Sequence, residues 1–188
     1  MHCRSVRAGF LSAALALAVC GCAGPKYAPG AYRAAQDRFG AIVLTCNKKL
    51  YVCPAIDNLA PECRKRLAPS FSASAHVTQA VEAELKASGL AFVRADFASG
   101  VNLAGLKQIL VEQPRKNEQA VYLGTQIRWL ADDRWTLDAE LLSPAGEVLF
   151  EKRGFCIVLG YPRVDTQEIA HMALRQILAD PKFKAALQ

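Results

Sequence analysis

The sequence lacks the short motifs that mark the well-known classes of enzyme. It has no G-x-S-x-G, no Walker phosphate loop, no dinucleotide fingerprint and no H-E-x-x-H. Histidine is scarce, with three copies in 188 residues, and no C-x-x-C pair occurs. Because structural metal sites are usually built from such clusters, no metal site is predicted. The sequence therefore predicts no catalytic residue, no metal and no cofactor.

Positive charge is present but is not concentrated. The net charge is +6 at neutral pH, and the densest basic stretch, Arg64–Arg66, has no interleaved aromatic residues. Proteins that bind nucleic acid need a clustered basic surface, because contacts to the phosphates dominate the affinity. Nucleic acid is therefore excluded as a partner, and we expect these charges to lie on a solvated surface.

After the first two dozen residues the sequence has no apolar run of membrane-spanning length. The one apolar run near the start, Ala8–Val19, is about a dozen residues long, whereas a spanning helix needs about 20. Arg4 and Arg7 precede it, and small residues with two cysteines follow it. This order is typical of a secretion signal that is cleaved, so the working protein is expected in an exported compartment.

The end of this segment resembles the lipobox of bacterial lipoproteins: an aliphatic residue, a variable one, Gly or Ala, and then the cysteine that receives lipid. Two registers fit, ending at Cys20 or at Cys22. Cys22 is favoured because Gly21 supplies the small residue before the cut, whereas the other register places bulky Val19 there. The resemblance implies that Cys22 is acylated, and several acyl chains hold a protein firmly to a bilayer. Because Ala23 rather than Asp follows, it also implies the outer membrane, facing the periplasm.

We therefore expect three parts along the chain. Residues 1–21 are the cleaved signal peptide, and residues 22–40 hold the lipidated cysteine, a tether rich in Pro and Gly, and a short helix. Residues 41–188 form one globular periplasmic domain, which is long enough to bury its own core.

Four cysteines remain beyond the lipidated one: Cys46, Cys53, Cys63 and Cys156. An even number in an exported protein suggests two disulfides, and the sequence leaves all three connectivities open. The alternative is that some of these cysteines are buried thiols, because a free cysteine packs as a small hydrophobe.

The hydrophobic pattern predicts both helices and strands. Two short apolar runs, Ala41–Thr45 and Leu50–Cys53, predict a hairpin, and residues 54–70, with three prolines, predict a loop. Residues 74–88 predict a helix that ends at Gly89. Further helices are predicted around residues 103–110 and from residue 165 to Pro181.

From residue 119 to residue 153 the apolar period changes to two, which predicts three antiparallel strands. The fold class predicted from this order is α+β: a single domain with a mixed, mainly antiparallel sheet and helices packed on one face.

Four residues of these strands are candidates for function. Trp129 and Trp135 flank the same turn and are expected to be cross-strand neighbours, with a partner-binding patch as the sharper hypothesis. Asp138 and Glu140 share one strand face, which would suit acid–base chemistry if that face lined a cleft. We interpret that face instead as a solvated surface of the sheet.

The body of the chain resembles, in order and pattern, the amino-terminal domain of TolB and related small periplasmic lipoproteins. The residues that carry the resemblance are 74–96 (SAHVTQAVEAELKASGLAFVRAD), 121–130 (VYLGTQIRWL) and 135–153 (WTLDAELLSPAGEVLFEKR). It implies a domain that scaffolds envelope machinery and is not an enzyme. The expected function is a non-catalytic lipoprotein that contacts the membrane through its anchor and binds an envelope component, with an envelope protein as the candidate. An envelope hydrolase or a small-ligand-binding lipoprotein is the alternative.

Overall fold

The fold is known from a computed structural model, which describes residues 40–58, 72–114, 119–131, 134–158 and 166–188. In these ranges the six strands are β1 Lys49–Val52, β2 Ile56–Asn58, β3 Phe92–Arg94, β4 Ala120–Ala131, β5 Arg134–Leu142 and β6 Val148–Val158. The α-helices are α1 Ala73–Ala87, α2 Leu103–Glu112, α3 Thr166–Ala179 and α4 Pro181–Leu187. All six strands belong to one mixed sheet, so the predicted α+β class is confirmed.

Strand β4 lies at the centre of this sheet, in the order β3-β1-β4-β5-β6. The predicted antiparallel meander is present: Tyr122 lies opposite Leu142, and Glu140 lies opposite Glu151. The other edge of β4 pairs first with β1 and then with β2, both parallel to it. Strand β3 completes the sheet as a parallel neighbour of β1. The long strands are thus antiparallel and the short ones parallel.

The predicted hairpin of Ala41–Thr45 with Leu50–Cys53 is wrong. Residues 41–45 belong to no strand, and β1 instead pairs with β3 and β4. The alternation in the first run is still meaningful, because Ile42 and Leu44 are buried while Val43 is 75 % exposed. The Leu44 backbone N–H donates to the Ser88 carbonyl oxygen over 3.0 Å. The run therefore packs beside the end of α1 without joining the sheet.

Strand β2 is a second correction, because it falls in the stretch predicted as a loop. Its three residues pair with Gln126, Ile127 and Arg128 of β4. A strand this short and bounded by prolines carries almost no periodic signal in sequence.

Helices cover both faces of the sheet. One core contains Val121, Leu123 and Leu137 of the sheet with residues of α1, α3 and α4. A smaller core on the opposite face joins Leu106 and Leu110 of α2 to Tyr122 and Leu142, among others. The expectation of helices on one face therefore holds for three of the four. Helices α1 and α2 each connect strands of the parallel part of the sheet, and a connection between parallel strands must cross over the sheet. The two helices make this crossing on opposite faces.

The helix ends follow the local sequence. Ser72 caps α1 by accepting from the Ala75 N–H over 3.2 Å, and Gly89, with φ +79°, ends it as predicted. Asn102 caps α2 by accepting from the Gly105 N–H over 2.7 Å. Asp180 and Pro181 begin α4 just where α3 stops.

A buried charge cluster joins α1 to α3. Glu84 accepts from His171 Nδ1 over 2.9 Å and from Arg175 Nη1 over 3.2 Å. Arg175 Nη2 also donates to the Gly40 carbonyl oxygen over 2.6 Å. Since Glu84 and Arg175 are both buried, we assign the cluster to holding the two helices and residue 40 together.

Several expectations lie outside the described residues. They are the signal peptide, Cys20 and Cys22, the tether with its short helix, and Cys63. No described helix is both long enough and apolar enough to cross a bilayer.

Two buried threonines give opposite predictions for stability. Thr78 Oγ1 accepts from the Ala55 N–H over 2.9 Å, whereas Thr125 Oγ1 is buried with no partner among the described residues. Thr78→Val should lower the free energy of unfolding by about 1–3 kcal/mol, because it leaves a buried N–H unpaired. Thr125→Val should raise it by about 1 kcal/mol, because it removes a buried, unsatisfied hydroxyl. Urea denaturation measures both, and equal losses in the two variants would contradict the assignment.

Candidate functional site

A polar cleft opens on the face of the sheet that carries α2. It lies between the start of α2 and the part of strands β4, β5 and β6 that extends beyond this helix. Its volume is about 310 Å³. Its lining combines the start of α2 with one face of β4, β5 and β6: Asn102, Leu103, Ala104, Lys107, Gln126, Arg128, Asp138, Glu140, Val148, Glu151 and Arg153. We call this set the polar cleft.

The alternation of the strands explains why these residues meet. In each strand every second side chain points to the same face, which brings together Gln126 and Arg128, Asp138 and Glu140, and Glu151 and Arg153. Helix α2 covers the apolar part of this face and leaves the polar part open.

Close approach of α2 to the sheet depends on Gly124. A Cβ at this position would lie 2.7 Å from Leu103 Cδ2 and 3.0 Å from Leu106 Cδ2. Because residue 124 has no side chain, the start of α2 packs closely against β4 at the border of the polar cleft.

Arg128 and Asp138 form the first ion pair of the cleft. Arg128 Nε donates to Asp138 Oδ2 over 2.5 Å, and Nη2 donates to Oδ1 over 3.1 Å. The Asp138 side chain is 3 % exposed and that of Arg128 is 42 % exposed. The hydrogen bond and the charge of Asp138 raise the pKa of Arg128. Arg128 therefore stays charged, with one edge of its guanidinium fixed and the rest toward solvent.

Arg153 and Glu140 form the second ion pair. Arg153 Nη2 donates to Glu140 Oε1 over 2.6 Å and lies 3.2 Å from Glu151 Oε2. The Glu140 side chain is 4 % exposed, whereas that of Arg153 is 55 % exposed. Burial raises the pKa of Glu140, the charge of Glu151 adds to the rise, and Arg153 and Lys107 oppose it.

The start of α2 is tied to the same cleft by two side-chain amides. Gln126 Oε1 accepts from the Leu103 N–H over 3.2 Å, and Asn102 Oδ1 accepts from the Gly105 N–H. Both oxygens satisfy N–H groups in the first turn of the helix. The cleft is thus bordered on its helix side by amides whose oxygens are already used.

The interpretation of Asp138 and Glu140 as a solvated surface is wrong. Both are buried, and each is paired with the guanidinium of a neighbouring arginine. Sequence reasoning found these two residues but missed Lys107, Gln126, Arg128 and Arg153. The signal that could have found the arginines is their alternation: each lies on the same strand face as an acid of the next strand.

Of the four candidate cysteines, the structure describes the side chains of two, and these two are not paired. Cys46 and Cys53 are both free thiols, and Cys46 Sγ donates to the Lys48 carbonyl oxygen over 3.1 Å. Burial raises the pKa of Cys53 to about 12, which keeps it protonated and unreactive. The side chain of Cys156 lies outside what the structure describes, as does Cys63, so the disulfide framework stays a prediction.

The two tryptophans lie directly opposite each other in the β4–β5 register. Their expected position as cross-strand neighbours is therefore confirmed for the backbone. Their side chains are not among those described, so their role as a partner contact stays a prediction. Within the described ranges no three His, Cys, Asp or Glu side chains cluster as metal ligands.

Comparisons with known proteins give little further information. No protein-family model matches the chain, and no curated protein matches it. Among solved structures the chain is similar to a PelC dodecamer from Paraburkholderia phytofirmans, with 17 % identity, a TM-score of 0.42, and coverage of 75 % of this chain and 87 % of that one. A PelC variant from the same organism gives 17 % identity, a TM-score of 0.41, and coverage of 78 % and 92 %.

The second ion pair predicts a pH-dependent loss of stability in Arg153→Gln. Because Arg153 lowers the pKa of Glu140, the variant should raise that pKa further above its ordinary value of 4.5. The folded state then holds the proton more tightly than the unfolded state, so stability falls as pH rises through this window. We expect a deficit of about 1.5 kcal/mol at pH 7 that shrinks by at least about half at pH 4.

Urea denaturation at the two pH values measures this effect. Arg94→Gln is the matched control, because Arg94 is exposed and its ion pairs with described residues are long: 3.8 Å to Asp96 and 3.9 Å to Glu82. A deficit in Arg153→Gln that is the same at both pH values would contradict the assigned role of Arg153.

Proposed function

We propose that this chain is a lipoprotein of the outer membrane, facing the periplasm, that binds or scaffolds a cell-envelope component through the polar cleft and is not an enzyme. The anchor half of the proposal rests on the lipobox pattern and on Cys22. The binding half rests on the cleft. The membrane contact would be made by the acyl chains, and the envelope component would meet the globular domain.

One observation carries the binding half. The buried carboxylates of Asp138 and Glu140 are each held by the guanidinium of an exposed arginine. A general acid or base must reach the proton that it transfers, and a carboxylate held in this way is occupied and shielded. The exposed arginines, by contrast, are fixed in direction and face solvent. This arrangement suits recognition better than acid–base catalysis.

The cleft size favours a specific form of the alternative. At about 310 Å³ it lies at the lower end of the range of small-ligand sites. A small-ligand-binding lipoprotein is therefore the second candidate function, and the experiments below separate it from a protein-binding one.

The anchor is tested by two cysteine variants in the exporting cell. Cys22→Ser should abolish acylation and release the protein from the membrane fraction, because no acyl chains then bury in the bilayer. Cys20→Ser should leave both unchanged. Intact-mass measurement of the mature protein reports the acyl chains, the cleavage register and the disulfides together. Retention of lipid in Cys22→Ser, with its loss in Cys20→Ser, would overturn the assigned register.

Binding at the cleft is tested by photocrosslinking in intact cells. A photoreactive residue replacing Lys107, an exposed residue of the cleft, should capture an envelope protein. The same residue replacing Lys86, which is exposed on α1 over the other face of the sheet, should not. Equal capture at both positions would contradict the cleft as the binding site. A small molecule that copurifies, with no protein captured at either position, would favour the alternative.

A further inference from the structure

We infer that the polar cleft recognises a carboxylate group on its ligand. This inference rests on the proposed binding function and adds the chemical class that the cleft selects. It follows from a simple imbalance: the hydrogen-bond acceptors of the cleft are almost all used internally, while many of its donors are left.

The acceptors are used as follows. Both carboxylate oxygens of Asp138 accept from Arg128, and Glu140 Oε1 accepts from Arg153. The amide oxygens of Gln126 and Asn102 accept from the backbone of α2. The acceptors that remain at the cleft are Glu140 Oε2, on a side chain that is 4 % exposed, and the exposed carboxylate of Glu151, which lies 3.2 Å from Arg153.

The donors are more numerous than these acceptors can satisfy. A guanidinium has five N–H bonds, and among the described residues the pair with Asp138 uses only Nε and Nη2 of Arg128. Arg153 uses only Nη2, which leaves its Nε and Nη1. The NH₂ groups of Gln126 and Asn102 remain as well, because the oxygen of each amide faces α2. A ligand that enters the cleft therefore meets mainly N–H groups.

The charge of the cleft selects a single negative charge on the ligand. The cations Lys107, Arg128 and Arg153 are balanced by Asp138, Glu140 and Glu151, so the whole set is close to neutral. The cations are the more exposed part, and both buried acids are already paired. Exposed Glu151 would repel a doubly charged phosphate more strongly than a carboxylate, which is singly charged, planar and matched to the free edge of a guanidinium.

The inference is tested by nuclear magnetic resonance on the full chain labelled with nitrogen-15. Acetate and ethylammonium are the matched probes, with similar size and opposite charge, added at constant ionic strength. Acetate should shift the Nη–H signals of Arg128, the Nε–H signal of Arg153 and the amide NH₂ signal of Gln126 in a saturable way. Saturation by ethylammonium, or tighter binding of inorganic phosphate than of acetate, would overturn the inference.

Paired substitutions keep the test interpretable if single ones unfold the protein. Arg128→Gln combined with Asp138→Asn, or Arg153→Gln combined with Glu140→Gln, removes an ion pair without leaving a buried charge alone. Each double variant should weaken acetate binding at least about fivefold, because each removes one guanidinium from the ligand. Arg94→Gln should leave it unchanged. Undiminished binding in both double variants would overturn the inference.

Two larger probes distinguish the sources of such a group. The α-amide of N-acetylglutamate, which keeps only the side-chain carboxylate, represents a peptide side chain and glucuronate represents an acidic glycan, and the tighter of the two identifies the class. Crosslinking at position 107 without saturable binding of any carboxylate would refute the ligand class and leave the proposed function standing. Carboxylate binding without any captured component or copurifying ligand would refute the proposed function and leave the ligand class standing.

Discussion

Burial of strand β4 on both faces is the constraint on which the rest of the structure depends. Every residue from 120 to 127 is buried, because α1, α3 and α4 cover one face and α2 covers the other. A polar side chain on such a strand either finds its partner inside the protein or stays unsatisfied, as the Thr125 hydroxyl does among the described residues. Gln126 finds it in the backbone of α2. Arg128 lies beyond the part of the strand that α2 covers. Its side chain reaches solvent and pairs with Asp138 of the next strand.

The two ion pairs of the polar cleft are not explained by stability alone. Desolvating a carboxylate costs several kcal/mol, and apolar residues of similar volume often stabilise a fold as well as a buried pair does. The cluster around Glu84 differs, because it is closed between two helices and also holds residue 40, so it has a structural role. The pairs of the cleft join a buried acid to an exposed arginine, and their effect is to fix the direction of the arginine.

The sequence determines the long elements well and the site poorly. The meander and α1 follow from strong periodicity, as do the stops at Gly89 and Pro181, so their prediction needed no tertiary information. The hairpin prediction failed because Ile42 and Leu44 alternate like a strand yet pack beside α1 without a ladder. Asp138 and Glu140 could be placed on one face but not recognised as buried, since their environment depends on the arginines that pair with them in the fold. The strand register that brings Arg153 next to Glu140 likewise depends on the tertiary structure.

The arginines of the cleft are fixed before any ligand arrives, and this suits the cleft to the binding role that we propose. A free arginine loses about 2 kcal/mol of rotamer entropy when it is immobilised, and a ligand that must order it gives up part of its affinity. In the cleft that ordering has already taken place on folding, because Asp138 and Glu140 hold the guanidinium groups. Since the buried acids also cancel most of the charge at a distance, attraction acts at short range, between the remaining N–H groups and an oxygen that fits them. Selectivity for the proposed ligand would then come from geometry more than from net charge.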